Sequence, residues 1–333
     1  MALLFIDGFD TADFNVAGRY ASYNAASSST TRFSQGKSVF FSATAGPTLE
    51  KVYTPSSQVF AGFAFYGTNN TYGVSLITFF GDNGATKHTA IRRVITTNWG
   101  IYRGDTLLSS FIAPPMNTWV YVELSTTIDS VSGTIEVRIN GQTVASFTGN
   151  TKNGGTNTTT DKYRLGNDGS YYPACAPYID DFYLCNSTGT INSTFLGDVR
   201  VQTILPSGAG SSTQWVPTGG ANYINVNDVP DSVATYNSSF TAGERDLYAM
   251  SNLLAGTGAV LGLQENLHAW KSDTGAGSFK SIYKIGASVY DGSTYSLGTS
   301  ASWYGHVYET SPATSAAWTS TDVNAMEAGA ETL

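Results

Sequence analysis

The chain has 333 residues, of which only 13% are Asp, Glu, Lys or Arg; an average soluble domain carries about 25%. Aromatic residues make up 13%, which excludes a disordered chain, and a net charge of −8 with 17 basic residues in no run longer than Arg92-Arg93 argues against nucleic-acid binding. No run approaches the ~18 apolar residues of a membrane span, and the opening Met1-Ala-Leu-Leu-Phe-Ile-Asp7 has neither the basic nor the apolar region of a secretory signal.

Taken in chain order, short runs of period two predict antiparallel strands at 38–42, 60–66, 74–80 and 88–96. Val120, Val122 and Leu124 then alternate with Trp119, Tyr121 and Glu123, and Ile135, Val137 and Ile139 with Thr134, Glu136 and Arg138. Asn140-Gly141 follows at once and predicts a type I′ hairpin, because that turn needs two residues with positive φ. Asp82-Asn83-Gly84 and Asp291-Gly292 predict similar turns. Further strands are expected at 179–184, 199–205, 260–268, 281–290 and 302–309. The Gly-, Thr- and Ser-rich segments 149–161 and 207–220 are expected to be exposed loops. Only 322–330 reads as a helix, because an acidic residue opens a run of helix formers.

This pattern predicts an all-β fold of two β-sandwich domains, 1–190 and 197–333, joined by the polar segment 186–197, with a short C-terminal helix. The charge follows that division. Residues 1–197 hold 12 basic and 13 acidic side chains, and 198–333 hold 5 and 12. The second part is therefore the better candidate for docking on a basic surface.

The chain carries no nucleotide-binding glycine loop and no Gly-x-Ser-x-Gly elbow. His88, His268 and His306 lie far apart, without metal-ligand spacing. A glycosidase needs two carboxylates facing one bond; Glu123 and Glu136 stand alone in their strands, and Asp10 and Asp13 lie three apart. The expectation is therefore that the chain is not an enzyme. Asp180 and Asp181 are candidate calcium ligands, with loop carbonyls completing the shell. Their other reading is that one caps or bridges to the N-terminal strand. Aromatics such as Tyr171-Tyr172, Trp99, Tyr102 and Trp303-Tyr304 suit either sugar stacking or cross-strand packing. Cys175 and Cys185 are expected as two buried thiols.

Asn117–Thr148 (a Trp-led strand, a second strand, Asn-Gly and a third strand), Tyr178-Ile-Asp-Asp-Phe-Tyr-Leu184 and Phe5-Ile-Asp-Gly-Phe-Asp10 resemble the concanavalin A-like (laminin-G-like) jelly-roll proteins of tailed-phage genomes. Gly197-Asp-Val-Arg-Val-Gln-Thr-Ile-Leu-Pro206, Trp215-Val-Pro217, Asn227-Asp-Val-Pro230 and the stretch from Glu309 to Trp318 are similar to segments of virion-associated phage proteins. The resemblance implies a concanavalin A-like jelly roll over 1–190. It also implies a virion location, reached from the host cytoplasm without an export signal. On it rests the leading expectation, a non-enzymatic structural protein on the virion surface, as capsid decoration or with the tail or its fibres. The alternative is a glycan-binding module for host attachment. The partners implied are other virion proteins, a host surface glycan and further copies in a homo-oligomer; no cofactor is expected apart from calcium.

Overall fold

The computed structural model describes residues 2–33, 36–42, 46, 48–68, 75–95, 97–167, 177–254 and 258–333. Its regular structure is almost entirely antiparallel β, as the sequence periodicity predicts. The chain segregates into two compact units, one of residues 1–15 and 20–201, the other of 16–19 and 202–333.

The first unit is two sheets packed face to face. An eight-stranded sheet contains, among others, Gly133–Ile139, Val120–Thr127, Gln58–Gly67 and Pro177–Asn186 in adjacent positions. A seven-stranded sheet runs in the order Thr106–Ile112, Asn98–Arg103, Thr86–Ile95, Ser75–Gly81, Thr160–Gly166, Thr48–Ser56, Ser22–Tyr23. Large rings join the layers. Trp99 meets Phe65 edge-on at 4.9 Å, and Tyr163 lies 4.7 Å from Phe182. Thr89 Oγ1 donates to Thr126 Oγ1 at 3.2 Å across the same interior. The expected hairpin forms at Asn140 (φ 49°) and Gly141 (φ 77°), and Asp82, Asn83 and Gly84 also take positive φ.

The second unit is a smaller, unequal sandwich. Pro206–Thr213, Arg245–Met250, Glu327–Thr332, Ser278–Ile285 and Ser288–Ser296 form a five-stranded sheet in that order. A ribbon of Leu263–Ala269 and Ser302–Tyr308 packs on it through Phe279–Tyr304 and Tyr283–Tyr308 contacts, with centroids 5.7 and 5.2 Å apart. Glu265 on the ribbon accepts the hydroxyls of Tyr283 and Tyr295 on the sheet. The segment 16–19 joins this unit by a 2.7 Å bond from Trp303 N to Ala17 O.

Several expectations change. The helix is Ser320–Ala325, capped by Thr319 Oγ1 accepting from Asp322 N at 3.0 Å. Residues 327–330, read as its continuation, belong to a central strand, Glu327–Thr332, because two neighbouring strands both offer unpaired backbone there. Gly329 permits this; a Cβ would stand 1.8 Å from Asp246 O. The segment 207–220, read as a loop, contributes residues 207–213 to the edge strand Pro206–Thr213. The hairpin expected at Asp291-Gly292 turns instead at Gly286 (φ 62°), and Asp291 lies within the strand Ser288–Ser296. The segment 186–197, read as a linker, packs on the first unit: Phe195 stands 5.3 Å from Phe60, and Arg138 lies 4.0 Å over the Phe195 ring. Residues 199–205 form no strand, since the Val201 N–H is taken by Asp181 Oδ1 at 2.8 Å. Cys185 is a buried thiol, its Sγ 3.4 Å from Thr194 O; Cys175 lies outside the described residues.

Gly62 is a sharp probe of the first unit. A Cβ there would come within 2.1 Å of Tyr183 and 2.9 Å of Tyr121. Gly62→Ala should therefore lower the unfolding free energy by about 1–3 kcal/mol through overpacking. Urea denaturation measures this, and an unchanged midpoint would contradict the packing described.

Candidate functional site: the outward face of the seven-stranded sheet

Successive side chains along a strand point to opposite faces. Ile77, Phe79, Thr89, Ile91, Trp99, Ile101, Tyr163 and Leu165 face the core, so their neighbours face away from it. Strand register then assembles one row from Glu50, Arg164, Thr78, Ala90, Tyr102 and Leu107, each paired with the next across the sheet. A second row holds Val52, Lys162, Phe80 and Lys87. Arg92 shares this face, two residues from Ala90.

Two clusters of charge result. Glu50 accepts from Arg164 Nε at 2.5 Å and Lys162 Nζ at 3.2 Å. Asp105, in the turn that follows Asn98–Arg103, accepts from Lys87 Nζ at 2.8 Å and Arg92 Nη1 at 2.9 Å. Each carboxylate is thus shared by two cations, which leaves positive charge in surplus at both clusters. The Lys87 bond, and then Arg92, hold the Asp105 carboxyl down to about 2, so it is no proton donor at neutral pH. Phe80 lies between them, with Lys162 Nζ 4.7 Å and the Arg164 guanidinium 5.0 Å from its ring. Arg92 lies 4.8 Å over Tyr102. On this face Phe80, Ala90 and Arg92 are buried beneath their neighbours, while Arg164, Lys162 and Lys87 stay partly exposed and Leu107 is exposed.

Asp180 and Asp181 lie on the other sheet. A bulge in Pro177–Asn186 places Asp181 at φ 51°. Asp181 pairs with Arg32 at 3.3 Å and accepts from Val201 N. Asp180 accepts from Arg32 N at 3.2 Å and Asp181 N at 2.9 Å. These donors occupy oxygens that a cation would need, and among the described residues no group of three or more His, Cys, Asp or Glu gathers to hold a metal. Together these bonds form a latch that fastens residues 198–201, with Arg32 also bonded to Asp198 at 2.5 Å. Burial, then mutual repulsion, pushes Asp180 up to about 8; burial raises Asp181 to about 6 despite Arg32 and the Val201 N–H. Glu123, read as a lone strand residue, is wholly inside, accepting from Tyr183 OH at 2.6 Å and Gly197 N at 2.8 Å.

Near Asp180, Phe40, Tyr178, Tyr66 and Trp119 form a half-buried row with centroids 4.7, 5.9 and 5.4 Å apart. Their planes tilt by 31–72°, so they pack as cross-strand partners and share no flat surface for a sugar. Trp99 is core, Trp303 bonds Asn266 in the ribbon at 3.0 Å, and Tyr171-Tyr172 lie outside the described residues. The sequence reading missed the cationic face. Its one local signal was Lys162-Tyr-Arg164, two cations two apart and so on one face.

No family model and no curated relative matches the chain. Solved structures similar to parts of it include a sialidase (10% identity, TM-score 0.42, 56% of this chain and 19% of that one). Others are the Trypanosoma rangeli sialidase (16%, 0.34, 44% and 25%) and the alginate lyase Aly36B (15%, 0.38, 55% and 92%). The chain thus spans about a fifth to a quarter of the sialidases. These matches are named as carbohydrate-active proteins, and the expectation of a non-enzymatic structural virion protein is corrected accordingly. The likeness is one of partial architecture, and the functional reading comes from this chain's own residues.

The Asp180–Asp181 pair sets a pH dependence. Both carboxyls bind protons more tightly when folded, so their contribution to stability is greatest in acid and is lost as pH rises from about 4 towards 8. Asp180→Asn should flatten this decline in unfolding free energy between pH 5 and pH 8. A variant that retains the wild-type slope would contradict the assignment.

Proposed function

We propose that the first unit binds a carboxylate-bearing glycan on the outward face of its seven-stranded sheet. The observation that carries this is the two-to-one excess of cations over carboxylates there, on a chain whose net charge is −8. Arg164 offers planar guanidinium donors that match a carboxylate, whereas Arg92 is buried and committed to Asp105 and Gly104 O; Lys87 and Lys162 add charge beside it. Leu107, 43% exposed, and the half-buried Tyr102 give apolar surface for the carbon faces of sugar rings. The acidity of the whole chain disfavours the denser charge of a nucleic acid. Both carboxylates on the face are ion-paired, which suits binding better than proton transfer. The sequence resemblance to tailed-phage proteins supports attachment to a host surface glycan as the setting.

The test is calorimetric titration with oligouronates and with neutral oligosaccharides of equal length. The oligouronate should bind more tightly and weaken as salt rises. Arg164→Ala should reduce its affinity roughly tenfold or more, the worth of one charge-assisted hydrogen bond. Equal affinity for both sugars, or an unchanged Arg164→Ala, would overturn the reading.

A further inference from the structure

Residues 150–159 connect the strands Gln142–Gly149 and Thr160–Gly166. Read from sequence as an exposed tip, this segment is tied to the sheet at three places. Thr151 N and Lys152 N donate to Asp129 O at 2.9 and 3.2 Å. Thr156 N, Thr156 Oγ1 and Asn157 N converge on Asp82 Oδ1 at 3.3, 3.0 and 3.0 Å. Between them, Asn153 N donates to His88 Nδ1 at 3.1 Å, and Asn153 Nδ2 donates to Lys87 O at 2.9 Å.

The middle tie depends on a protonation state. His88 is fully buried. Its Nδ1 accepts a backbone N–H, so Nδ1 carries no proton, and the ring is neutral with its hydrogen on Nε2. Nε2 is itself buried without a partner. A second proton would have to sit on Nδ1 and point at the Asn153 N–H, donor against donor. The bond therefore exists only for the neutral ring. Gly154 (φ 69°) and Gly155 (φ 68°) follow directly and give the chain freedom to swing at that point.

We propose that residues 153–155 form a pH-sensitive strap, closed on neutral His88 and released when the imidazole takes up a proton. The outer ties stay in place. Asp82, held down to about 2 by Thr86 and by Asn157 and Thr156 beyond the strap, remains ionised far below the range of a histidine. The groups facing His88 act in both directions. Asp82 from the preceding turn and Asp161 from Thr160–Gly166 favour the charged ring; Lys152 from the loop and burial oppose it, and burial prevails. Asp161 is itself engaged by Asn83 N and Gly84 N at 2.7 and 2.9 Å, and neighbouring Lys87 by Asp105. With its affinity for a proton lowered by folding, His88 contributes stability that is full above about 6.5 and is lost as pH falls below it. The inference does not depend on what the cationic face binds.

Amide spectra of the full-length protein, recorded from pH 7.5 to pH 4.5 with no glycan present, test the strap. The Asn153 amide should shift and lose exchange protection with the same midpoint as the His88 ring, below 6.5, while Asn157 stays protected. His88→Gln, which keeps an acceptor but does not titrate, should abolish the transition. An Asn153 amide that is indifferent to His88 protonation, or a transition that persists in His88→Gln, would overturn the proposal. Should the variant fold poorly, the wild-type ring decides: its nitrogen shifts at pH 7.5 must show the hydrogen on Nε2, and a hydrogen on Nδ1 would overturn it equally.

Discussion

The first unit depends on the contact between its two sheets. Trp99 against Phe65 and Tyr163 against Phe182 fill the interior with rings that cannot be accommodated on a hydrated surface without losing their burial. Because side chains alternate along a strand, that choice commits every other residue. Once Tyr163 and Leu165 face inward, Lys162 and Arg164 face outward; once Ile91 does, Ala90 and Arg92 do not. The cationic face follows from the core, and a register slip of one residue would bury the cations and expose the rings.

The two outer faces of this unit handle charge differently. On the seven-stranded sheet the carboxylates are outnumbered by the cations that bond them, so attraction remains for an anion. On the eight-stranded sheet the acids are consumed internally. Glu123 is closed over by Tyr183 and the Gly197 N–H, and Asp181 by Arg32 and the Val201 N–H. There the segment ending at Val201 acts as a cover, held by backbone N–H groups that donate to buried carboxylates. A low overall charge is consistent with both arrangements: few charges, most of them assigned to a partner.

The fold was legible where period and turn chemistry agreed. Around 119–141 the alternation and Asn-Gly specify strands, face and turn together. Helix formers misled at Glu327-Ala-Gly-Ala-Glu331, because pairing on both sides outweighed intrinsic preference. Apolar alternation misled at 199–205, where side-chain acceptors replaced a neighbouring strand. The candidate site was mostly illegible for a geometric reason. Glu50, Lys87, Arg92 and Arg164 come from three strands distant in sequence, and only register brings them together. Asp180-Asp181 stood out as a pair, but adjacency could not reveal that the Arg32 side chain and three backbone amides would meet it. His88, isolated in the sequence, gained its meaning from Asn153, 65 residues away.

The most direct test of the account is a crystal structure of the protein with a bound oligouronate. The account predicts the sugar against the seven-stranded sheet, with a carboxylate within hydrogen-bond reach of Arg164 or Lys162 and the chain extending towards Lys87. A sugar seated on the outer face of the eight-stranded sheet, or on the second unit with the cationic face empty, would contradict it.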